Sequence, residues 1–179
     1  LHVWRGVQLD HVLRQGYIYP RWAPDMARGF GYPLFEFASP LSTYLLVGIK
    51  SLGLDWGRAL NSALAVGLVL SALAVYILVR DWWGRQAGLV AAFAYAIVPY
   101  HAYDLFNRSG LSETTAWFLP PLILWAMGPA RRSVLGFTIT ALGTAALVLT
   151  HNAFALIFAP LLLAYALFQS RFYGRRALV

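Results

Sequence analysis

From residue 59 onward the chain is a succession of apolar stretches interrupted at a few short polar places. Five stretches read as membrane-spanning helices: about Ala59 to Val79, Trp82 to Tyr100, Leu111 to Gly128, Ser133 to Leu149 and Ala153 to Phe168. Pro120-Pro121 interrupts the third, and only Thr150-His151-Asn152 separates the fourth from the fifth, which predicts a tight helical hairpin. Several are shorter than the ~20 residues of a straight span, so tilt, kinks or burial within a bundle are expected. Ahead of them, Pro40 to Leu54 is apolar but carries Lys50, and it reads as an interfacial helix on the outer leaflet. The expected fold is all-α. A polytopic transmembrane bundle over 59–179 follows an exterior loop domain over 1–58, with the interfacial helix at about 40–54.

Composition strengthens the membrane reading. The chain is 60% hydrophobic and 12% charged, where a soluble domain carries about 25% charged residues. Cysteine is absent, which removes disulfides and thiolate metal sites. The net charge of +7 fits basic loops at an anionic membrane surface better than nucleic acid, which is not expected as a partner. The chain starts at Leu1 without an initiator Met and stops after a basic loop, so it is expected to be one piece of a longer polytopic protein.

Orientation follows from the short loops. Arg80 with Arg85, Arg131 with Arg132, and Arg171 with Arg175 and Arg176 mark alternate loops, which are therefore cytoplasmic. Residues 1–58, 101–110 and 150–152 then face the exterior of a multi-pass cell-membrane protein. Six of the seven acids fall on that side, Asp81 being the exception.

Polar groups converge on the exterior from three places. The front segment offers His2, Arg5, Asp10, Asp25 and Arg28, with aromatics such as Tyr32 that either stack on a sugar or cover lipid. The loop after the second span offers His101, Asp104 and Arg108, with Glu113 just beyond. The hairpin offers His151 and Asn152. Each has a plain alternative. Glu113 sits where a helix N-terminus favours an acid, Arg108 has Asp104 and Glu113 within reach as ion-pair partners, and His151 suits a turn cap. No His or acid spacing forms a metal motif, so a divalent cation is left open without assigned ligands.

The order of motifs resembles a known family. His2-x-x-Arg5, Tyr19-Pro20-Arg21-Trp22-x-Pro24-Asp25, Gly29-x-Gly31-Tyr32-Pro33-Leu34-Phe35 and Pro40-Leu41 resemble the first exterior loop of a bacterial membrane family labelled 6-pyruvoyl-tetrahydropterin synthase-related. Pro99-Tyr100-His101, Asn107-Arg108-x-x-Leu111-x-Glu113 and Thr150-His151-Asn152 continue the likeness. That family is similar to glycosyltransferases of the GT-C type. The resemblance implies an integral-membrane enzyme that moves a sugar from a polyprenyl-phosphate donor at the exterior face, in contact with membrane lipid and with the remainder of its own chain. It also implies a leading catalytic acid immediately before Leu1. Asp25 is then the best remaining acid, with Asp10 behind it and Glu113 as a third candidate. His2, Arg5, Arg28, Tyr32, His101, Asp104, Arg108 and His151 would bind substrate, with the phosphate held by Arg108, Arg5 or Arg28. Two other readings use the same residues: a transporter or flippase for a lipid-linked or anionic substrate, and a noncatalytic membrane scaffold.

Overall fold

A computed structural model describes residues 1–128 and 133–173. Arg131, Arg132, Arg175 and Arg176, which the orientation argument uses, lie outside the described residues. Within them the protein is helical and forms no strand, its one β-type pairing being an isolated bridge between Ala23 and Tyr32. Three helical segments are long and apolar enough to cross a membrane: Trp56–Trp83, Arg85–Arg108 and Asn152–Arg171.

Helix α1 (His2–Arg14) opens the chain. Gly6 lets it approach its neighbours, since a Cβ there would lie 2.7 Å from the Trp56 ring and 3.1 Å from Leu46. The aromatic, proline-rich segment that follows folds into a cap on α1. Ala23 and Tyr32 exchange backbone hydrogen bonds of 2.8 and 3.0 Å, and Gly31 turns the chain at φ 79° with the Trp22 indole occupying the space a Cβ would fill. One turn of helix, α2 (Leu34–Phe37), buries Leu34 and Phe35 against Leu9, Ala23 and Val47. Trp22, Phe30 and Phe37 remain exposed.

Helix α3 (Leu41–Lys50) has 10 residues, about 15 Å at 1.5 Å per residue, too short to span a bilayer. It buries Ser42, Thr43, Leu46 and Val47. Asp55 caps α4 (Trp56–Trp83) by accepting the Arg58 N–H at 2.9 Å, and Gly84 at φ 88° ends it. Its 28 residues exceed the predicted span at both ends. Helix α5 (Arg85–Ala96) folds back onto α4, where Gly88 sits so close that a Cβ would lie 3.0 Å from Tyr76.

Residues 101–110, expected as a loop, are largely helical. Pro99 opens α6 (Pro99–Tyr103), which passes directly into a π-turn over Asp104–Arg108. Such turns are frequent at functional sites. The predicted third span at 111–128 also differs. It divides into α7 (Leu111–Thr114), a buried turn and α8 (Leu119–Ala126), with Pro120-Pro121 in the first turn of α8 rather than breaking a helix. Proline belongs there because the N–H groups of a helix's first turn have no intrahelical acceptor, so losing one costs no hydrogen bond. Ala116, Trp117, Leu119 and Ile123 are almost fully buried, so protein rather than lipid surrounds this irregular stretch.

The expected hairpin is present. Helix α9 (Val134–Thr150) ends at His151, a single extended residue, and α10 (Asn152–Tyr173) begins directly after it. Ser39 ties the front cap to this turn, accepting the Asn152 N–H at 3.2 Å and donating to the Val148 carbonyl at 3.4 Å.

Candidate functional site

The front cap, the π-turn with α7, and the α9–α10 turn meet around an open cleft of about 360 Å³. Its polar lining includes His2, Arg5, Tyr32, Ser39, Arg108, Ser112, Glu113 and His151. These residues are spread over 150 positions of sequence, so only tertiary packing brings them together.

Glu113 is the electrostatic centre. One carboxylate oxygen accepts the Tyr100 hydroxyl at 3.0 Å, and the other accepts Arg108 Nη1 at 2.9 Å. The same guanidinium nitrogen lies 3.4 Å from Asp104. Asp104 is fully buried beneath the cleft, and the Thr114 hydroxyl donates to it at 3.4 Å. Gly110 makes room for that carboxylate, because a Cβ at this position would fall 2.3 Å from its oxygen. Arg108 therefore serves two acids at once.

His151 is oriented by the backbone. Its Nδ1 accepts the Phe154 N–H at 3.1 Å and so caps the start of α10. The ring proton must then reside on Nε2, which faces Glu113 at 3.9 Å. Burial holds the His151 pKa below its ordinary value, with Glu113 acting in the opposite sense. His151 is thus neutral, beside Glu113 but beyond hydrogen-bond distance of it, and its lone pair is committed to the helix cap.

Arg5 contrasts with Arg108. Among the described residues no acid pairs with it, and its buried Nε has no hydrogen-bond partner. Burial lowers its pKa. A buried guanidinium donor without a partner is costly, and Arg5 lines the cleft. His2 is held neutral, its pKa lowered to about 4, with burial the largest cause and the positive charge of Arg5 the second.

A titration prediction follows from His2. The unfolded chain takes up its proton near pH 6.5, before the folded chain does. Its contribution to stability is therefore complete above that pH and is lost as pH falls toward 4. Thermal melting of the full-length protein in detergent is expected to fall between pH 7 and pH 5, and His2→Gln is expected to reduce that fall. Equal pH dependence in the two proteins would remove His2 as a cause.

The remaining predicted site residues lie elsewhere. Asp25 is locked to α1, its carboxylate accepting Gln8 Nε2 and its N–H donating to Gln8 Oε1, both at 3.0 Å. Asp10 pairs with Arg14 at 3.2 Å and Lys50 at 3.5 Å. Arg28 stands on an exposed turn at φ 62°. His101 is buried and stacked on Trp117, ring centroids 3.8 Å apart. None of these four lines the cleft. Tyr100 was not among the predicted site residues, although its Pro99-Tyr100-His101 setting marked the neighbourhood. Gln8 gave no sequence signal, because its partner is 17 residues away.

Beside the cleft runs an apolar groove of about 550 Å³. One stripe of α3 (Leu41, Leu45, Gly48 and Ile49), with Leu52 in the turn after it, forms a wall opposite Phe118 and Leu119 and the end of α9. Thr150 lines both spaces. A 2.8 Å hydrogen bond between Ser42, on the groove side, and Ser112, on the cleft side, marks the partition between them.

Fold and site together define an all-helical protein with three segments able to cross a membrane and a charged cleft adjoining an apolar groove. No family model matches this chain, and no solved structure matches it. It is similar to an uncharacterized protein of Lactococcus lactis subsp. cremoris (strain MG1363), 27% identical over 163 residues. That match covers 87% of this chain and 26% of the relative, so the chain spans about a quarter of the relative's length. 

Proposed function

We propose that this chain is the cleft-bearing part of a polytopic membrane glycosyltransferase of the GT-C type, related to the 6-pyruvoyl-tetrahydropterin synthase-related membrane family. It transfers a sugar from a polyprenyl-phosphate donor at the exterior face. The observation that carries this reading is the unpaired guanidinium of Arg5, which shares with Glu113 a cleft that adjoins an apolar groove. An amphiphile with an anionic head and a long apolar chain suits that pair of spaces. Arg5 holds the phosphate, the chain runs past Thr150 along the α3 stripe, and Glu113 accepts the proton of the acceptor hydroxyl. In this reading Asp25 and Asp10 are structural, and Arg28 and His101 do not touch substrate.

The membrane arrangement belongs to the same proposal. The three long apolar segments span, and α9 completes the hairpin with α10. Arg80 and the exposed Trp82 and Trp83 form a basic, aromatic collar at the cytoplasmic end of α4.

The test uses full-length protein in proteoliposomes with labelled polyprenyl-phosphate hexoses. Release of polyprenyl monophosphate with transfer of the sugar is expected. Translocation of the intact donor without bond cleavage would replace this reading with the flippase. Arg5→Ala is expected to weaken donor binding by about 10- to 100-fold, the worth of a hydrogen bond to a charged group. Unchanged binding would exclude Arg5 from the phosphate contact.

A further inference from the structure

Within the cleft the two arginines are in different electrostatic states. Arg5 has no acid partner among the described residues, whereas Arg108 is held by Glu113 at 2.9 Å and Asp104 at 3.4 Å. Both guanidinium groups line the same cleft, together with His2. The resting site therefore offers one uncommitted positive charge, which matches a singly charged phosphodiester. A doubly charged phosphate needs a second cation, and Arg108 is available only if Glu113 releases it.

We propose that Arg108 undergoes a charge exchange, passing from Glu113 to the departing phosphate as Glu113 takes up the acceptor's proton. This rests on the transferase reading above and extends it to the order of charges during the reaction. In the transfer step the acceptor O–H bond breaks and its proton moves to a Glu113 oxygen. The acceptor oxygen bonds to the anomeric carbon. The carbon–oxygen bond to phosphate breaks with its electron pair left on the phosphate oxygen, so the phosphate goes from one negative charge to two. Glu113, now neutral, no longer holds Arg108. The guanidinium has a second anion within the same cleft and pairs with it, so the total charge of the site is unchanged throughout. Buried charge is costly to leave uncompensated, and this exchange keeps both negative charges of the product matched.

The groups around Glu113 allow the exchange. Tyr100 from α6 donates to one of its oxygens at 3.0 Å, and neutral His151 from the α9–α10 turn stands 3.9 Å from the same oxygen. The Tyr100 hydroxyl keeps the carboxyl in place whether or not it is charged. From the π-turn, buried Asp104 stays beside Arg108, 3.4 Å away, and keeps the Thr114 hydroxyl, so Arg108 gives up Glu113 but not Asp104. From α1, His2 and Arg5 add no negative charge. Arg108 itself is about half exposed and sits at the end of the π-turn, so its head can swing within the cleft.

The exchange makes dianion binding depend on protons, while monoanion binding does not. Sulfate and methyl sulfate separate the two cases, because neither titrates near neutral pH. Calorimetric titration of the full-length protein in detergent is expected to show sulfate affinity rising as pH falls from 7 to 5.5. One linked proton sets a limit of about tenfold per pH unit. Methyl sulfate affinity is expected to stay flat. Protonation of His2 or His151 would strengthen the binding of both anions, and of the dianion more, so the Glu113→Gln protein, which keeps both histidines, isolates the exchange. In Glu113→Gln, Arg108 is already released from that position, and sulfate is expected to bind several-fold tighter at pH 7 with its pH dependence lost. A pH-independent sulfate affinity in the native protein would overturn the exchange and leave the transferase reading standing. So would a slope that persists in Glu113→Gln. If neither anion bound at millimolar concentration, the phosphate site itself, and the reading built on it, would fall.

Discussion

Glu113→Gln is expected to lower sugar transfer by about 10²- to 10⁴-fold, the usual contribution of a positioned general base. The amide keeps the size of the side chain and can still accept from Tyr100, whose hydroxyl lies 3.0 Å from the native carboxylate. It cannot take the acceptor's proton, and it loses the charge that holds Arg108 at 2.9 Å. The loss should therefore fall on turnover, with donor affinity retained through Arg5. Asp25→Asn is the informative companion, since Asp25 is bound to Gln8 and does not line the cleft. It is expected to leave turnover nearly unchanged. A protein that tolerates Glu113→Gln but fails with Asp25→Asn would return the base to the front segment.

Gly67→Ala is expected to damage fold and activity together. Gly67 lies inside α4, where a Cβ would fall 2.7 Å from the Thr114 carbonyl oxygen and 3.0 Å from its carbonyl carbon. Backbone cannot rotate aside as a side chain does. Accommodation must push α7 away from α4, at a cost of about 1–3 kcal/mol for overpacking. Glu113 is the neighbour of Thr114 and moves with it. A lowered melting temperature with a disproportionate fall in transfer is the expected result in the full-length protein. Gly48→Ala gives the contrast: nothing lies within 4 Å of a Cβ there, and filling a helix-interior glycine raises stability by about 0.5–1 kcal/mol. Equal melting temperatures for the two variants would contradict the close α4–α7 contact.

The long apolar helices were readable because length and hydropathy decide them locally. The α9–α10 turn was readable for a related reason, as Thr150-His151-Asn152 interrupts an apolar run with groups that need partners. The stretch at 111–128 was misleading. Its composition matches a span, but the buried turn at 115–118 is permitted by packing against His101 and the Leu147 end of α9, which sequence does not reveal. The same limit governs the site. Arg108 and Glu113 are near in sequence, and their spacing alone puts them within reach of each other. Asp25 behind Trp22 and Pro24 looks the same whether it serves chemistry or docks a cap, and only its hydrogen bonds to Gln8 decide where it points. Asp104 reads as a loop acid, yet Gly110 lets it sink to zero exposure. Arg5 gained its importance by subtraction, because every other cleft cation either has an acid partner or is held neutral.

The most direct test of the account is a structure of the full-length protein with bound polyprenyl monophosphate. The phosphate is expected within hydrogen-bond distance of Arg5, with Arg108 turned toward it and the first prenyl units lying along Leu41, Leu45 and Phe118. A phosphate bound elsewhere, with Arg5 still unpaired and the groove empty, would contradict it.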